Sequence, residues 1–200
     1  YLDAASVRAE GMIDIMLSVS LSTERLRKEG RFALYRGAAA LVHYIALDSA
    51  RDVSPFVTAK DGKPLATNPL KDLRVRKALS LAINRDALAD VVYSPGKLKD
   101  VGVNARTYWN TPLGPNLGKS WLDPKGKDFG DSGKYLQFNP AEAKKMLDAA
   151  GFNAQKPLEF DNVFAGVYYG QDWPTRVETM QSMFKEVGIK MISVSVDYAT

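Results

Sequence analysis

Between Leu158 and Val196 the apolar pattern switches from alternation to a helical stripe and back, an order that few folds accommodate. Leu158 and Phe160 alternate with Glu159 and Asp161, the period of a half-buried strand. Asp172 stands at an N-cap position, Pro174 falls in the first helical turn, and Val177, Met180, Phe184 and Val187 share one face. Gly188 stops that helix, and Ile189–Val196 alternates again with Ser193 and Ser195 on the polar side. Strand, helix, strand predicts a βαβ unit, and with it a parallel or mixed sheet in an α/β chain.

The preceding segments supply helices and long connections. Val75, Ala78, Leu79, Ala82 and Ile83 fall on one helical face, with Asp72 as N-cap. Asn84 caps a second helix with the face Ala87, Leu88, Val91 and Val92, and Pro95-Gly96 stops it. In Asn139-Pro140-Ala141-Glu142, Asn139 can take the third helical amide, Pro140 has no amide to satisfy, and Glu142 can reach back to the cap. Ala143, Met146, Leu147 and Ala150 then face inward, and Gly151 closes the helix. Asp48–Lys71, with three prolines, reads as a long loop. From Lys97 to Phe138 the periodicity disappears, and Tyr108, Trp109, Trp121 and Phe129 suggest a stretch packed over a surface. Before these lie a helix ending at Gly11, a buried strand over Met12–Met16, a helix from Ser22 to Lys28, and strands over Phe32–Tyr35 and Leu41–Leu47.

Composition narrows the chemistry. The 27 Lys and Arg against 23 Asp and Glu leave a charge of +4, scattered along the 200 residues. Arg25–Lys28 and Arg74–Lys77 alternate with apolar residues at helical spacing, which speaks against a nucleic-acid partner. Without cysteine there is no disulfide, thiolate metal site or cysteine nucleophile. The lone histidine, His43, rules out a multi-histidine zinc site and makes any Ser-His-Asp triad depend on a residue inside Leu41-Val42-His43-Tyr44-Ile45. Its plainer reading is a strand residue, packed or at the surface. Met12–Val19, interrupted by Asp14, is far shorter than a membrane span of about 18 or more residues. Gly37 opens no phosphate loop, and Gly126, Gly130 and Gly133 form a turn-rich stretch. Asp123, Asp128 and Asp131 lack calcium-loop spacing, so neither metal nor cofactor is expected. Glu159 and Asp161 lie on the face a strand leaves to water. Tyr168, Tyr169 and Trp173, which follow that strand in a loop with Gly166 and Gly170, are placed either to line a ligand site or to pack as an edge.

Asn68–Arg85 contains D-L-R-V-R-K-A-L-S-L-A-I-N-R, which resembles the signature of the family 5 extracellular solute-binding proteins. Gly11–Ile15, Tyr44–Asp48, Asn139–Gly151 and Met180–Val196 resemble further segments of that family in its order, with Asp48 in place of the usual Asn. The resemblance implies a middle fragment of a bilobal type II periplasmic-binding-protein fold, α/β with a mixed sheet and flanking helices. Residues 1–38 would end lobe one, and residues 39–200 would form the first part of lobe two. It implies a non-enzymatic, periplasmic component of an ABC importer that captures a peptide or similar solute for permease subunits. The strand entering lobe two would pass the cleft at Ala39, Ala40 and Leu41; with Trp109, Tyr168 and Tyr169 these are the candidate ligand-binding residues. Two rivals remain at this point: a hydrolase-type domain using His43, and a purely structural or interaction module.

Overall fold

The computed structural model describes residues 29, 43–59, 62–100, 107–109, 111, 113–166, 168 and 172–197. The early helices and strands expected before Leu41, together with Leu41 and Val42, lie outside the described residues. The chain forms two compact units, Tyr1–Arg36 with Ser94–Arg106, and Gly37–Tyr93 with Thr107–Thr200.

In the larger unit, α1 spans Leu73–Ala82 and α2 spans Arg85–Tyr93. The Asp72 carboxylate accepts from the Arg74 amide at 2.8 Å, and the Asn84 side chain accepts from the Ala87 amide at 3.0 Å. Both caps are those expected from the spacing. In the smaller unit, α3 spans Pro95–Asp100 and buries Leu98. It overturns the expectation that periodicity ends at Lys97. Pro95 ends α2 yet starts α3, because a first-turn proline has no amide to waste. Ser94, the residue before α3, has a φ of 45°.

α4 spans Pro140–Ala149, β1 spans Leu158–Phe164, α5 spans Trp173–Glu186, and β2 spans Ile189–Ser195. β1 and β2 pair in parallel from Leu158 opposite Ile189 to Phe164 opposite Ser195. This is the expected βαβ unit, and the chain is α/β. α5 lies against β2, and Phe184 meets Phe160 edge-on at 6.0 Å. The core joins Val75, Ala78, Leu79 and Ala82 of α1 to Ala143 and Leu147 of α4, then continues through Leu158, Phe160, Val177, Phe184, Ile189 and Met191. α1 and α4 run antiparallel: the Asn139 amide donates to Leu81 O at 2.9 Å, and Arg74 Nη1 donates to Ala149 O at 2.6 Å.

Several local expectations change. The Asn139 side chain caps α4 through the Glu142 amide at 3.0 Å, but its own amide is committed to Leu81, so Glu142 does not reach back. Asp172 makes no side-chain cap to α5: its backbone is already helical, with φ of −84° and ψ of −5°, and its carboxylate pairs with Arg176 instead. Val91 is exposed on α2, while Ala87, Leu88 and Val92 are half-buried. Glu159 is buried rather than facing water, with Lys190 Nζ donating to its Oε2 at 2.8 Å across the strand pair. No strand forms over His43–Leu47. β-propensity registers side-chain fit, but a strand exists only where a ladder partner is present.

The long loop before α1 is strongly built. Asn68 Nδ2 donates to Asp48 O at 2.6 Å and to Arg51 O at 3.0 Å, while its Oδ1 accepts from the Leu70 amide at 3.0 Å. Ser54 Oγ, buried, donates to Asp48 Oδ2 at 2.8 Å. Val57 enters the core, and Phe56 O accepts from the Asp161 amide at 2.7 Å, tying the loop to β1.

Candidate functional site

Among the described residues, no group of three or more His, Cys, Asp or Glu is placed to hold a metal ion. The polar side chains of interest gather instead at two aromatic–cation nodes in the larger unit.

The first node is centred on Arg176, one helical turn after Asp172 on α5. Arg176 Nε and Nη2 donate to Asp172 Oδ2 at 2.7 and 2.5 Å. Its Nη1 donates to Tyr93 Oη at 3.2 Å and to His43 Nδ1. The guanidinium carbon lies 5.1 Å from the Tyr93 ring centre and 5.3 Å from that of Trp173, within cation–π range. The His43 ring meets Trp173 at 5.1 Å with planes at 80°. Partial burial and the Arg176 charge lower the His43 pKa, and the Asp172 carboxylate opposes them without prevailing. A histidine that acts as a base needs a lone pair aimed at a nucleophile or substrate. Here Nδ1 faces a guanidinium, the reverse of the carboxylate that orients a triad histidine.

Asp86, in the first turn of α2, organises the second node. It accepts from Trp109 Nε1 at 2.8 Å and from Lys125 Nζ at 2.9 Å to each carboxylate oxygen. Burial acts to raise the Asp86 pKa, but the hydrogen bonds from Lys125 and Trp109 outweigh it and leave the carboxyl below its ordinary value. Lys125 Nζ also sits 4.2 Å from the Trp109 ring centre. Nearby, Tyr108 meets Trp121 edge-on at 5.5 Å. These contacts hold part of the aperiodic stretch onto the start of α2.

Of the candidate ligand residues, Ala39, Ala40, Leu41 and Tyr169 lie outside the described residues. Trp109 is half-buried in the second node, and Tyr168 is 60% exposed on the turn after β1. Sequence reasoning singled out His43 and Trp173 but missed their link through Arg176. The spacing of Asp172 and Arg176 was an available signal, since residues four apart on a helix are neighbours. Asp86 and Lys125 carry no such signal, being 39 residues apart.

The model of "Bacterial extracellular solute-binding proteins, family 5 Middle" matches residues 4–200. The chain belongs to the family 5 extracellular solute-binding proteins. It is 35% identical over 96 residues to the periplasmic oligopeptide-binding protein OppA of Salmonella typhimurium, an alignment covering 48% of this chain and 15% of OppA. Its structure is similar to NikA from Staphylococcus aureus, solved with Ni(L-His)2, at 21% identity and a TM-score of 0.49, covering 65% of this chain and 23% of NikA. It is also similar to a mannohexaose-bound oligopeptide-binding protein from Thermotoga maritima, at 21% identity and a TM-score of 0.47, covering 66% of this chain and 24% of that one. The chain thus corresponds to a minor part of each relative's length.

In this family 5 chain the signature arginines clamp the backbone. Besides Arg74 on Ala149 O, Arg76 Nη1 donates to Leu70 O and Lys71 O, both at 2.8 Å. Arg85 Nη1 donates to Leu136 O at 2.7 Å and to Ser80 O at 3.0 Å. The sequence leaves these side chains available for ion pairs, and Arg74 does pair with Asp72 at 2.6 Å. Their shared task is nevertheless to close α1 at both ends and fix it to α4 and the preceding loop.

Proposed function

We propose that this chain is part of a non-enzymatic receptor that captures a peptide or similar solute between two lobes and delivers it to the permease subunits of an ABC importer. The observation that carries this reading is the family match along residues 4–200. OppA, whose name gives oligopeptides as its ligand, favours a peptide over other solutes. The extracellular family description and the periplasmic relative support a location outside the cytoplasmic membrane, in the periplasm. No helix among the described residues is long and apolar enough to cross a membrane. Residues 1–38 close lobe one and residues 39–200 begin lobe two, with Ala39, Ala40 and Leu41 passing the cleft and Trp109, Tyr168 and Tyr169 as aromatic candidates. Small side chains on a cleft strand leave room for main-chain hydrogen bonds to an extended ligand.

The test is a thermal-shift measurement on the full protein carrying this chain, using di- to pentapeptides of defined sequence. A ligand at about a hundred times its Kd stabilises the native state by about 2.7 kcal/mol, a shift of several degrees. Ala40→Trp is expected to remove that shift while moving the ligand-free stability by less than about 1 kcal/mol. No shift with any peptide would contradict the solute class, and an unchanged shift in Ala40→Trp would remove this strand from the site.

A further inference from the structure

We propose that His43 and Arg176 form a proton-operated latch, which fastens the segment around His43 to the first turn of α5 at neutral pH and releases it on acidification. This inference stands apart from the solute-capture reading and rests on the geometry of the first node.

A guanidinium only donates hydrogen bonds, so His43 Nδ1, facing Arg176 Nη1, must present its lone pair. The neutral ring then carries its proton on Nε2. Protonation fills Nδ1 and turns a donor–acceptor contact into two cations pressed together. Arg176 cannot relieve this by losing its charge. Nor is it free to swing away: two of its nitrogens are fixed on Asp172, a third also reaches Tyr93 Oη, its plane lies near two aromatic rings, and its side chain is only 13% exposed. The mobile partner is therefore His43, whose own residue remains exposed.

Among the described residues, the groups facing the imidazole are Arg176 and Trp173 from α5, Asp172 just before it, and Tyr93, reached through Arg176, from α2. Asp172 has the only opposing charge among them, and that carboxylate is already spent on Arg176. His43 is also the sole histidine, so no other side chain of this sequence changes charge between about pH 5 and 8 from its ordinary pKa. Partial burial of the ring and the Arg176 charge both favour the neutral imidazole. The contact is therefore intact at neutral pH and is lost as pH falls from 6.5, the ordinary value, through the lowered folded value.

The test uses NMR on the full protein carrying this chain, with specifically labelled histidine and tryptophan and His43 assigned by mutation. The imidazole is expected to titrate below 6.5, and the Trp173 indole signal is expected to shift with the same midpoint. His43→Gln, which keeps a polar side chain without a titrating ring, should abolish the Trp173 response. Arg176→Gln should raise the imidazole midpoint by removing the facing cation. An imidazole midpoint at or above 6.5, a Trp173 signal that ignores the His43 titration, or an acid response that survives in His43→Gln would each overturn the latch.

Discussion

Asn68 shows how much of this fold can hang on one side chain. It is buried, and its amide spans two carbonyls of the loop and one amide of the turn leading into α1. Removing it strands three backbone groups at once. Asn68→Ala is expected to destabilise the protein by about 2–3 kcal/mol, read as a lowered midpoint in urea unfolding, because three hydrogen bonds are lost and the buried Leu70 amide is left without a partner. Asp48, standing where the resembled pattern has Asn, works in the same loop. It gathers Ser54 Oγ and Arg51 on its carboxylate and offers its carbonyl to Asn68. At this scale the sequence was partly legible. His43 and Trp173 drew notice as the lone histidine and one of an aromatic group, whereas Tyr93, Asp86 and Lys125 gain their roles only from folding across tens of residues.

Elements carry the sharper contrasts. Asp72 and Asp172 each precede a helix, yet only Asp72 caps: its backbone is extended, with φ of −75° and ψ of 122°, as a cap requires, whereas that of Asp172 is already helical, with φ of −84° and ψ of −5°. Asp72→Ala is expected to cost about 1 kcal/mol, measured by chemical unfolding at neutral pH. The hydrogen bond from Arg74 is the main influence holding the Asp72 pKa below its ordinary value, and it outweighs the opposing effect of burial. The stabilisation it gives is present above the unfolded aspartate pKa of about 3.9 and is lost as pH falls through the lower folded value. The gap between wild type and Asp72→Ala should therefore narrow under acid. Phe184, fully buried beneath the strand pair and edge-on to Phe160, is where α5 meets the sheet. Phe184→Ala is expected to cost about 3–5 kcal/mol, through lost burial plus the cavity left behind. α1, α4, β1, α5 and β2 were readable because each has a stripe or an alternation long enough to show. α3 was not, since a helix of six residues opening on Pro-Gly has no stripe to read. His43–Leu47 misled for the opposite reason: its residues suit a strand, but strand formation depends on a partner elsewhere in the chain.

For the molecule as a whole, the strand–helix–strand order of Leu158–Ser195 settles the α/β class, and the family match along residues 4–200 supplies what periodicity could not. Binding and turnover are separated by the fate of the bound molecule. The direct measurement is isothermal titration of the full protein carrying this chain with the peptide giving the largest thermal shift, followed by mass spectrometry of the recovered peptide. The account predicts one peptide bound per protein molecule and recovered intact after prolonged incubation. Cleaved peptide whose formation stops in His43→Ala would contradict it and point to a hydrolase, and no saturable heat with any peptide would contradict solute capture itself.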